Sequence, residues 1–138
     1  MTLTLAEAQV IVDAVFAHAL SQSIAVSCCV INERNEEVLS ARMDGANWPT
    51  LGIARAKARS AVALNQDSGN IAHMKSAFPE LLDLVNDQLP FRVTTLAGGL
   101  LLKAPVGVRG AVGVSGALPD QDVACAAAGV AAWSIPAA

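Results

Sequence analysis

The sequence predicts an α/β fold of the α+β kind, a sheet of about five antiparallel strands flanked by helices. Three observations predict it. Helix-period and strand-type segments follow one another in the order α-β-β-α-(α)-β-β-β-α. The links within the β-β pairs are short, which hairpins allow and parallel crossovers do not. The chain has 138 residues, the length of one domain with its own core. Residues 1–138 therefore read as a single unit.

The elements follow in order. Thr4-Leu5-Ala6-Glu7 has the capping-box pattern that opens a helix. Leu5, Ala8, Val12, Val15 and Ala19 recur at helical spacing, and the helix should end near Ser21–Ser23. The apolar run Ala25–Ile31 reads as a buried strand, 32–36 as a turn, and Val38–Met43 as the returning strand. Residues 44–49 break the chain before a second helix over Thr50–Asn65. Shorter helices are expected over Ser68–Lys75 and Pro79–Asn86, the second with proline in a tolerated position. Gly98-Gly99 marks a turn, and strands follow over Leu100–Ala104 and Arg109–Ala117. The last helix opens at Pro119 with Asp120 and Asp122 in its first turn, as the helix dipole prefers, and runs through Ala132.

Composition narrows the function classes. The chain is 54% apolar and only 15% charged, against about 45–50% and about 25% for globular proteins. Too few charges remain to cover a monomer, so a face buried against another subunit is expected, giving a homo-oligomer; many surface alanines on a monomer are the alternative. The net charge of −3 and the lack of a basic run exclude a nucleic-acid footprint. No apolar stretch reaches the ~20 residues of a membrane span, and the N-terminus has no signal-peptide pattern. A cytoplasmic protein is expected. Cys28, Cys29 and Cys125 form neither a zinc motif nor a disulfide framework and read as small buried hydrophobes.

Lys57 is the residue out of place. It lies three residues after Ala54 and four before Ala61, on the apolar stripe of its helix. A charge there is expensive unless paired. It either serves a site, or snorkels to the edge of the core, or pairs with a structural carboxylate. Asp44, at the end of the second strand, is a plausible partner, although an aspartate before glycine is often satisfied by its own turn. The strand 107–117 is rich in glycine, which marks close approach by a helix or a ligand. By alternation Gly110, Val112, Val114 and Gly116 share one face; Arg109, Ala111, Gly113, Ser115 and Ala117 share the other. His18 and His73 are the two histidines. Either could ligate haem iron, and either could be an ordinary surface histidine.

Arg42-Met43-Asp44-Gly45-Ala46, then Ile53-Ala54-Arg55-Ala56-Lys57-Ala58, then Gly98-Gly99, then Gly110 to Ala117 with Asp122 following, resemble the GlcG/HbpS family across nearly the whole chain. The resemblance extends to the C-terminal domain of PduO-type corrinoid adenosyltransferases. It implies a profilin-like, five-stranded antiparallel sheet flanked by helices, and tight dimers that often assemble further. Characterised relatives of this kind include haem-binding proteins; others sit among catabolic genes for glycolate or aromatic compounds. The resemblance implies that the Asp44 loop and the Ser115-Gly116 strand neighbour Lys57, and Arg42, Lys57, Gly98, Gly99, Ser115 and Gly116 are the candidate ligand-binding residues. Two features depart from the family pattern. The turn Asn32–Glu36 has no glycine, and Leu100-Leu101-Leu102 has no early proline. No haem ligand carries over by position, so His18 and His73 both stay open.

The expected function is small-molecule binding, with haem or a related tetrapyrrole as the ligand. The alternative is a small cytosolic isomerase or hydrolase acting on a carboxylated intermediate of aromatic or glycolate-type degradation. In that reading Lys57 binds or polarises a carboxylate or carbonyl, or acts as base. Asp44 orients it, and Ser115 with the Gly116 amide holds an oxyanion. A third reading is a structural or regulatory partner without a ligand.

Overall fold

The computed structural model describes residues 2–133. Helix α1 (Leu5–Ser21) begins at a Thr4–Glu7 capping box, as its first residues require. The hairpin β1 (Ser27–Asn32) and β2 (Glu37–Arg42) leads to α2 (Thr50–Leu64), which stops where Asn65 takes the left-handed conformation. A 3-10 turn at 68–70, α3 (Ile71–Ala77) and α4 (Pro79–Gln88) follow. Strands β3 (Gly99–Ala104) and β4 (Gly107–Ser115) precede α5 (Pro119–Ala132).

Among the described residues the sheet has four strands in the order β2-β1-β4-β3, all antiparallel, rather than the expected five. The segment between α4 and β3 supplies no strand. Its amides bond to side chains instead of a ladder: Val93 N donates to Asn86 Oδ1 at 2.7 Å and Thr94 N to Ser60 Oγ at 2.9 Å.

Helices cover both faces. Cys28, Val30, Leu102, Val112 and Val114 pack under α1 and α5. Cys29, Ile31, Leu101 and Ala111 pack under Ala54, Ala58 and Ala61 of α2. A smaller cluster of Ile71, Leu82 and Val93 ties α3 and α4 to the end of α2 at Leu64. All three cysteines are buried and free.

Arg109 departs from the simple alternation. Leu102 pairs with Gly110 and Lys103 with Val108, so Arg109 is an extra residue in β4. Such a bulge re-aims a side chain. Arg109 is thereby turned away from the α2 face where alternation puts it, and reaches Glu7 of α1, with Nη2 3.4 Å from Oε1, while its guanidinium lies 5.9 Å from the Trp133 ring centroid. Burial alone would raise the Glu7 carboxyl; the Trp133 indole N–H, the Thr4 amide and Arg109 outweigh it and hold Glu7 below the usual range.

The glycine-rich strand is a seat for a helix. A Cβ on Gly113 would strike the carbonyl oxygen of Ala54 and lie 2.9 Å from Ala58 N, and one on its ladder partner Gly99 would lie 2.5 Å from Lys57 O. Gly113→Ala should therefore cost about 1–3 kcal/mol or more, because the α2 backbone cannot yield as a side chain could. Gly52→Ala, which meets nothing within 4 Å, should gain about 0.5–1 kcal/mol in helix propensity. Urea denaturation of the two variants checks the contrast; equal midpoints would show that α2 does not rest on Gly113.

Candidate functional site

Lys57 is buried, as its position on the apolar stripe requires, at 3% exposure. The expected partner, Asp44, is not the one it finds. Asp44 is solvent-exposed just beyond β2. The Lys57 ammonium donates to Val114 O at 2.8 Å and to Asp122 Oδ2 at 3.1 Å. The side chain of Asp122 is 5% exposed. Its second oxygen, Oδ1, accepts from Ala117 N at 3.0 Å, so one carboxylate closes both the Lys57 contact and the turn into α5. Burial pulls the Lys57 ammonium below its ordinary value, and the Asp122 carboxylate offsets part of that drop.

The geometry explains why lysine stands here. Strand β3 sits at the sheet edge and begins at Gly99, and Val114 N donates to Gly98 O at 3.0 Å. Gly98 adopts φ +125°, and a Cβ there would lie 2.9 Å from Lys57 Nζ. The lysine thus runs from α2, on one face, past Gly98 at the sheet edge to α5, on the other. It joins the three layers.

The other residues of the expected site close the same end of the sheet. Arg42, Ser27 and Ser115 stand in one row across β2, β1 and β4. Arg42 folds back on its own loop, donating to Ala46 O at 3.0 Å and Met43 O at 3.3 Å. Ser115 is buried, and its row partner Ser27 bonds Thr50 Oγ1 at 2.8 Å. Gly116 has φ +144° and would bring a Cβ within 2.7 Å of Ala25 O. Gly98 and Gly99 therefore pack against Lys57, whose ammonium is closed by Val114 O and Asp122, while Ser115 lies in the neighbouring Ser27 row. Asp122 was readable as an acid in a helix first turn and as part of the family pattern, but its sequence distance of 65 residues from Lys57 hides the pairing.

The two histidines lie in different layers. His18 is half-buried on α1, which packs with α5. His73 is exposed on α3, which belongs to the layer of α2. One chain cannot bring both to one iron. His73 lies one helical turn from Ala77, where Ala77, Phe78, Leu81 and Leu84 line an apolar recess at the α3–α4 junction. Phe78, Leu81 and Leu84 are 58%, 48% and 53% exposed. Beyond Pro79 a second cleft of ≈ 470 Å³ opens between α4 and the 92–96 segment. Sequence patterning gave no sign of it, because its wall is irregular chain. Among the described residues no group of three or more His, Cys, Asp or Glu could hold a metal ion, and no helix is long and apolar enough to cross a membrane.

Comparison with known proteins gives a consistent picture. Residues 3–131 match the model of a family described as haem degrading protein HbpS-like. An uncharacterized 15.0 kDa protein from the dhaT-dhaS intergenic region of Citrobacter freundii is 35% identical over 88% of this chain and 84% of its own length. The crystal structure of Klebsiella pneumoniae protein ORFY is 33% identical, with a TM-score of 0.85 over 96% of this chain and 91% of that one. A double mutant of HbpS from Streptomyces reticuli is 28% identical, with a TM-score of 0.86 over 98% of this chain and 89% of that one.

Proposed function

This chain belongs to the HbpS-like family, and from that premise we propose that it is a small-molecule-binding protein whose ligand is haem or a related tetrapyrrole. The observation that carries the reading is the α3–α4 junction. A tetrapyrrole presents a flat apolar body and an iron that takes an imidazole ligand. The junction offers exposed apolar side chains from Phe78, Leu81 and Leu84 beside Pro79 and Glu80, and helical spacing puts His73 one turn from the lining residue Ala77. Large apolar side chains clustered at one surface are consistent with a binding role. His73 would supply the axial nitrogen, and the apolar surface would shield one side of the macrocycle.

The reading carries with it a homo-oligomer. Trp48 and Val106 are 90% and 91% exposed in the single chain, and large apolar side chains favour burial against a second copy. The isomerase or hydrolase alternative finds no support in this arrangement. Its lysine is committed to Val114 and Asp122, and Asp44 stands in solvent.

Titration of the purified chain with haemin tests the proposal. A Soret band should grow to saturation, and His73→Ala should weaken binding by about tenfold or more, since even outer-shell changes at metal sites cost about 10–100-fold. His18→Ala should leave the band in place. Loss of the band in His18→Ala alone would move the site to α1. No band at a few equivalents would end the haem reading.

A further inference from the structure

The cleft between α4 and the 92–96 segment has its own chemistry. Its floor and walls are apolar where Ala56, Pro79, Leu82, Val93 and Leu96 line it. Its irregular wall is held in place from two sides: Asn86 accepts from Val93 N and the fully buried Ser60 accepts from Thr94 N. A cleft of ≈ 470 Å³ falls within the roughly 300–1,000 Å³ of small-molecule sites.

The polar groups left free in it are mostly donors. Asn86 spends its acceptor oxygen on Val93 N, leaving its NH₂ end. Thr94 Oγ1 accepts from Leu96 N at 3.2 Å, leaving its hydroxyl proton. Thr95 adds a second hydroxyl. Lys75 and Arg92 also line the cleft, and the ion pairs among the described residues join other cations: Arg55 to Glu37, Lys57 to Asp122, Arg109 to Glu7. One carboxylate, Asp83, shares the lining and offsets one of the two positive charges.

We propose that this cleft binds a small monocarboxylate with an apolar body, its carboxylate received by Lys75, Arg92, Asn86 and the threonine hydroxyls. Charge-assisted bonds to a carboxylate are the strongest available to such a donor set, and the apolar floor takes the remainder of the molecule. The proposal does not rest on the haem reading: the two surfaces adjoin at Pro79, but none of Lys75, Asn86 and Arg92 lines the α3–α4 recess.

Amide NMR titration of the full chain with phenylacetate is the test, with methyl phenylacetate as the uncharged counterpart. Phenylacetate should shift the Asn86 side-chain NH₂ and the backbone amides of residues 92–96. The ester should bind at least about tenfold more weakly, and Lys75→Gln with Arg92→Gln should weaken phenylacetate by a similar factor. Both cations are exposed, so the double variant should fold. Lys103→Gln, an exposed cation on β3, should change nothing. Equal affinity for acid and ester, unchanged affinity in the double variant, shifts centred elsewhere, or none at millimolar phenylacetate would each overturn the proposal. Haemin titration of the same samples reports separately on the haem site.

Discussion

Lys57→Met is expected to destabilise the fold by about 3–5 kcal/mol, the cost of leaving a buried charge without its partner. Methionine preserves most of the lysine stem, so packing against Gly98 is largely kept. What is lost is the ammonium. Asp122 Oδ2 and Val114 O then face the interior with no donor, while Asp122 Oδ1 still accepts from Ala117 N. The second variant makes the test specific. Lys57→Met with Asp122→Asn removes the stranded charge yet keeps an acceptor for Ala117, and it should recover most of the loss. Urea denaturation of both, alongside wild type, gives the comparison. A loss under about 1 kcal/mol in Lys57→Met, or no recovery in the double variant, would show that the pair does not join the layers. The folded fraction of either variant should bind haemin as wild type does, because the Lys57 ammonium is directed to Val114 and Asp122, which do not line the α3–α4 recess.

That pair also marks the limit of what the sequence could say. Element positions were legible because each rests on local chemistry: the Thr4–Glu7 box, the apolar period of α1, the turn at 32–36, the proline at the start of α4. The α2 lysine was legible as misplaced because helical spacing fixes which face it takes. Its partner was not, because Asp122 also satisfies a local rule as an acid at a helix N-terminus, and nothing along the chain distinguishes the two roles. Glycine content announced a close approach in β4, and only the tertiary structure shows that the approaching group is the α2 backbone at Ala54. Arg109 failed for a different reason. A one-residue bulge inverts the face assignment, and strand alternation carries no sign of it. The missing fifth strand belongs with the 92–96 wall, where the Val93 amide is claimed by Asn86 of the preceding helix and the Thr94 amide by Ser60 of the distant α2.

The buried thiols should make the fold alkali-sensitive. Burial pushes the Cys29 thiol from 9.0 up to about 12, and the neighbouring Glu37 carboxylate, to which Cys29 Sγ donates at 3.5 Å, adds to the effect. Cys28 is pushed well above its ordinary value by burial, and Cys125 is raised for the same reason. In the unfolded chain these thiols ionise near their ordinary value. Between that value and the folded-state value the folded chain therefore holds more protons, and rising pH favours unfolding. Each protected thiol contributes a loss of about 1.4 kcal/mol per pH unit, so Cys29 alone accounts for about 4 kcal/mol between pH 9 and 12. Lys57 acts with the opposite sign. Its folded-state value is lowered, so the folded chain releases that proton first, and rising pH through its window adds stability. Cys29→Ala separates the two contributions. Under reducing conditions, the fall in urea stability from pH 9 to pH 11 should be shallower in Cys29→Ala than in wild type by about 1.4 kcal/mol per unit. Parallel profiles would mean that the Cys29 thiol ionises as readily in the folded chain as in the unfolded one, and that the α2 face of the sheet admits water.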